Sequence, residues 1–75
     1  MKVAIYSRGL DEEIEQHIKI LMQELALQGA ASVIYAPLVT ESLAHNLQSF
    51  DYTIFSDASG LDDSVQCLIS LGGDG

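Results

Sequence analysis

Three short apolar runs, Lys2–Ser7, Ala31–Ala36 and Val65–Leu71, constrain this chain more than anything else in it. Their Val, Ile and Tyr residues suit extended backbone, where branched and aromatic side chains pack on a pleated surface. Between the first two runs, Ile14, Ile18, Leu21, Met22 and Leu25 recur every three or four residues and draw one apolar stripe along a helix. A helix between two strands carries the chain back to its starting end. The strands it joins therefore lie parallel, and the crossover is right-handed.

The punctuation agrees. Asp11 stands where a helix N-cap belongs, and Glu12, Glu13 and Glu15 put negative charge at the positive end of the helix dipole. Glu15 and Lys19 stand four apart on the wet side, an arrangement worth about 0.2–0.5 kcal/mol. Gly29 supplies the left-handed residue that ends such a helix. Pro37 stops the second strand, and Thr40 caps a shorter helix with Leu43, Leu47 and Phe50 turned inward. Tyr52 to Ser56 reads either as a further strand or as a loop packing Tyr52 and Phe55 on the core, because Asp57-Ala58-Ser59-Gly60 is a turn signal directly behind it. The order predicts an α/β fold. It is half of a three-layer, Rossmann-like architecture, with a small parallel sheet of three to four strands and flanking helices.

At 75 residues the chain makes one domain. A chain of this size buries only about 60% of its unfolded surface, so its stability is marginal. Hydrophobic residues are 48% and charged residues 19%, too apolar for a disordered acidic tail. Eleven carboxylates against Lys2, Arg8 and Lys19 give a net charge of −8. Such a field repels nucleic acid and anionic membranes, so neither is an expected partner. A small phosphorylated ligand stays compatible, since backbone donors at short range outweigh a diffuse field. Cys67 is the only cysteine, so no internal disulfide forms and no Cys/His group has zinc spacing; a cytoplasmic location fits this usage. The opening residues have the pattern of neither a signal peptide nor a membrane span.

In open parallel sheets ligands meet the carboxyl ends of the strands, which directs attention to the loops after Ser7, Ala36 and Leu71. The first holds a single glycine, Gly9, with no GxGxxG or GxxxxGK pattern, and the acids behind it repel a phosphate. Arg8 in that loop reads as a solvated surface cation. The last loop is Gly72-Gly73-Asp74-Gly75, in which glycine backbone can bring its N–H groups close to an anion. A carboxylate beside those donors can orient or deprotonate an attacking hydroxyl during phosphoryl transfer. The plainer reading is a tight turn in which Asp74 bonds its own backbone.

The run Cys67-Leu68-Ile69-Ser70-Leu71-Gly72-Gly73-Asp74-Gly75 resembles the hallmark of NAD kinases, an apolar strand leading straight into GGDG. The start Met1-Lys2-Val3-Ala4-Ile5-Tyr6-Ser7-Arg8, the long first helix, the second strand and the shorter helix are similar in outline to that family's first domain. The resemblance implies an Mg2+-dependent kinase that passes the terminal phosphoryl of ATP, or of polyphosphate, to the 2′-hydroxyl on the adenosine ribose of NAD. It implies Asp74 as the catalytic residue that activates or positions that hydroxyl. Gly72, Gly73 and Gly75, together with Asp74, become the nucleotide-binding loop, and no residue is assigned as a metal ligand. The family's pattern continues with a threonine, a later Asn-Glu pair and a β-rich carboxy-terminal domain, which these 75 residues do not contain. Residues 1–75 are thus expected to be a partial amino-terminal domain, inactive alone, with small-molecule nucleotides as partners. A homo-oligomer is expected, as open sheet edges invite pairing.

Two alternatives stand beside this. Lipid kinases of the diacylglycerol type also carry GGDG after a strand, but with a first turn richer in glycine and asparagine than Ser7-Arg8-Gly9-Leu10. A non-catalytic α/β association module is the other. His17 and His45 have no partner at metal-ligand spacing and read as surface residues. Asp57, Asp62 and Asp63 lack the alternating positions of a calcium loop and read as turn and cap residues. Cys67, alternating with Val65, Ile69 and Leu71, reads as a buried small hydrophobe. Ser7, Ser56, Ser59 and Ser70 have no base nearby in sequence.

Overall fold

A computed structural model describes residues 1–61 and 63–71. Strands β1 (Lys2–Ser7), β2 (Ala31–Tyr35), β3 (Thr53–Phe55) and β4 (Val65–Leu71) alternate with helices α1 (Glu12–Leu27) and α2 (Glu41–Asn46). The four strands form one sheet in the order β3-β2-β1-β4, and each neighbouring pair is parallel.

Local chemistry explains where the elements begin and end. Asp11 Oδ1 accepts the Ile14 N–H at 2.9 Å and starts α1. At the other end Gly29 has φ +72°, the Ala30 N–H reaches the Leu25 carbonyl at 2.9 Å, and the Gly29 N–H reaches Ala26 at 3.1 Å. That pair of bonds is a Schellman cap, and it needs the left-handed residue that glycine provides. Thr40 Oγ1 accepts the Leu43 N–H at 3.2 Å and starts α2. The second strand stops at Tyr35, one residue short of the sequence expectation, because Ala36–Leu38 closes into a 3₁₀ turn around Pro37. Proline has no N–H to give to a ladder. Of the two readings of the stretch after Asp51 the strand holds, at Thr53–Phe55, and not the loop; Tyr52 still packs at the helical core and Phe55 is buried on the opposite face.

Going from β1 to β2 to β3 the chain steps one way across the sheet, then returns past β1 to form β4. Right-handed crossovers put both helices on one face and the returning connection on the other. The core follows that geometry. On the helical face Ile18, Met22, Leu43 and Leu47 pack over Val3, Ile5 and Ile34. On the opposite face Ala4, Val33 and Phe55 are buried, with Leu61 and Val65 against them. The two flanking layers are unequal: two helices on one side, the β3–β4 connection on the other. Along that second face Tyr6, Tyr35 and Phe55 form a row, with ring centroids 4.8 and 5.4 Å apart.

One sequence expectation fails in β4. Cys67 is exposed rather than buried. The register steps between Lys2 and Val3, pairing Lys2 with Val65 but Val3 with Cys67. The extra residue turns Val65 onto the face of Ala4 and Phe55, while Ile69 and Leu71 stay on the helical face. Cys67 shares the face of Ile69, but on an edge strand the helices do not reach over it.

Candidate active site

The order β3-β2-β1-β4 reverses direction between β1 and β4, and a parallel sheet opens a crevice at the carboxyl ends of strands where that happens. Ser7, the last residue of β1, pairs with Leu71, the last of β4. The loops that leave these two residues therefore depart side by side. Between them lies a recess of about 310 Å³, lined by Ser7, Arg8, Gly9, Leu10, Asp11, Ile14 and Leu71. The third loop singled out from sequence, after β2, does not join it. Leu38 draws that loop into the helical core, where it is 1% exposed.

The β1 loop is shaped from within. Ser7 is 3% exposed; its hydroxyl donates to the Gly9 carbonyl at 2.7 Å and accepts the Gly9 N–H at 3.4 Å. The Gly9 amide is thereby turned inward, as a phosphate-binding glycine loop would not allow. Ser7 had no base to make it a nucleophile, and its role is that of a turn hydroxyl. A serine two residues before a glycine at a strand end was the available signal. Asp11 lines the recess, and one of its carboxylate oxygens is engaged in capping α1. Arg8 is exposed at the same mouth and is the one cation lining it among the described residues.

Gly72, Gly73, Asp74 and Gly75, the site residues read from sequence, lie outside the described residues, as does Asp62. Their attachment point is fixed: Leu71 ends β4 at the recess. Among the described residues no three His, Cys, Asp or Glu side chains converge as a metal site would require, so these residues do not by themselves fit a divalent ion. His17 and His45 are both exposed. Asp57 is a turn residue, accepting both the hydroxyl and the N–H of Ser59. Glu15 makes its contacts across to α2, accepting from Ser42 Oγ at 3.1 Å and Asn46 Nδ2 at 3.0 Å. Among the described residues no helix is long and apolar enough to cross a membrane.

The chain is 33% identical over all 75 residues to the NAD kinase of Flavobacterium johnsoniae. It is similar to an NAD kinase along its whole length. It spans 26% of that NAD kinase's length. No family model matches the chain, and no solved structure does. In the sequence β4, whose end borders the recess at the strand-order reversal, runs directly into Gly72.

Proposed function

We propose that this chain is the amino-terminal nucleotide-binding part of an NAD kinase, and that the crevice between the ends of β1 and β4 faces the reacting ribose. The similarity to an NAD kinase from end to end carries the reading. The fold supports it, since GGDG follows directly from a strand that ends at the switch point.

In this reading Gly72, Gly73 and Gly75 bring backbone N–H groups to phosphate oxygens, and Asp74 faces the 2′-hydroxyl of the adenosine ribose of NAD. The 2′-oxygen forms a bond to the terminal phosphorus of ATP or polyphosphate as the bridging P–O bond breaks, and the hydroxyl proton passes to the Asp74 carboxylate. A divalent ion bound to the donor's phosphates would supply charge neutralisation there, and no described residue of this chain would hold it. Arg8 at the mouth of the recess offsets part of the −8 charge that an anionic nucleotide meets. The isolated 75 residues are inactive, because the remaining walls of the cleft lie in the part of the relative that the chain does not span.

The test is titration with NAD followed by amide chemical shifts, in this chain and in a longer one. Perturbations are expected around Gly9, Leu10, Leu71 and Gly73, weak in the 75-residue chain and saturable in the longer one. Shifts that ignore the ends of β1 and β4 would refute the assignment.

A further inference from the structure

The β1 loop closes on itself before its glycine can hold an anion. Ser7 accepts the Gly9 N–H and donates to the Gly9 carbonyl, so both polar groups of that glycine are occupied. The residue between them stays outside the clasp: Arg8 is exposed. Behind it Asp11 caps α1, and Glu12 and Glu13 fill the first turn, so acids already cover the positive end of the helix dipole. Among the described residues, the positive charge of this recess resides in the Arg8 side chain.

The sheet sets where Arg8 stands relative to β4. Ser7 pairs with Leu71 in a parallel ladder, and neighbouring strands lie about 4.8 Å apart. The chain therefore leaves β1 for Arg8 and β4 for Gly72 at points about that far from each other, a gap an arginine side chain spans. The other two cations are placed elsewhere. Lys2 opens β1 at the opposite end of the strand, with its ammonium 3.2 Å from the Ser64 hydroxyl. Lys19 lines a separate recess between α1 and α2, beside Glu15 and Asn46.

We infer that Arg8 is a further catalytic residue, whose guanidinium grips the phosphoryl group in transit from the donor. The inference rests on the NAD kinase reading above and puts a direct contact where a diffuse field would otherwise act. In that reading the glycine N–H groups after β4 meet the donor's phosphate oxygens, so the anion nearest Arg8 is the donor's. During transfer negative charge spreads over the three equatorial oxygens, while the bridging P–O bond breaks and the bond to the 2′-oxygen forms. A planar guanidinium donates to two of those oxygens at once, a geometry an ammonium does not match. Arg8 neither takes nor gives a proton; the hydroxyl proton still passes to Asp74. Ser7 is a positioning residue, since its clasp on Gly9 fixes the turn that carries Arg8.

Steady-state NADP formation by a chain of the relative's full length, with ATP and NAD varied separately, tests the inference. Arg8→Ala is expected to lower kcat about 100-fold and to leave the KM for NAD within about two-fold. Arg8→Lys keeps the charge but not the fork, and recovers only a small part of the loss. Lys19→Ala removes a positive charge away from the recess and changes neither constant. Ser7→Ala lowers kcat by itself but has no further effect once Arg8 is alanine, which a merely structural role would not produce. Equal effects of Arg8→Ala and Lys19→Ala, full rescue by Arg8→Lys, or a change confined to the KM for NAD overturns the inference and leaves the NAD kinase reading standing. A parent chain that forms no NADP overturns both.

Discussion

Single residues in this chain earn their identity from backbone geometry more than from contacts. Gly29 sits at φ +72° with open space where a Cβ would go, so its constraint is conformational alone. Gly29→Ala is expected to cost about 1 kcal/mol in urea denaturation, the strain of a left-handed non-glycine residue. Gly9 also faces open space, but its φ is not in the left-handed region. Gly9→Ala should lie within about 0.5 kcal/mol of the parent, and the contrast between the two glycines checks the argument. Asp57 shows a different economy. The Ser59 hydroxyl, then the Ser59 N–H, hold its carboxyl below the ordinary 3.8. A carboxyl depressed on folding stabilises above its unfolded value, and that contribution is lost as pH falls through the folded one. Asp57→Asn should therefore lower the melting temperature slightly near neutrality and flatten its decline below pH 3.8, the effect being small at so exposed a group.

At the scale of elements, α1 tests whether burial or propensity holds the fold. Ile18 is fully buried on the stripe, and Ile20, two residues on, is 56% exposed. Ile18→Ala is expected to cost about 2–5 kcal/mol, enough to unfold so small a domain, while Ile20→Ala should change little in the same denaturation experiment. The caps belong to this scale too. Thr40→Ala removes the acceptor for the Leu43 N–H and should cost about 1 kcal/mol. Its helix is six residues long and depends on Leu43 and Leu47 for its place, so the loss should show as a lower denaturation midpoint rather than a free-standing unfolded helix. Both helices and their caps were legible from residue spacing and capping chemistry. β4 was legible as a strand but not as an edge: period-two alternation says which residues share a face, not whether anything covers it.

For the whole molecule, the strand-order reversal between β1 and β4 is where the proposed function is tested. The purified 75 residues, supplied with NAD, ATP and Mg2+, should form no detectable NADP, and a chain of the relative's full length carrying Asp74→Asn should lose roughly 100-fold or more of its turnover. Direct assay of NADP checks both. Helix ends, turn positions and the inward stripe of α1 were readable in advance, because each depends on neighbours within a turn or two of the chain: Asp11 on Ile14, Gly29 on Leu25, Thr40 on Leu43. The placement of Ser7 beside Leu71, the exposure of Cys67 and the thin cover over Tyr6 and Tyr35 were not readable that way. They depend on which strand lies next to which, a choice made by packing between residues far apart in the chain, and no local pattern encodes it.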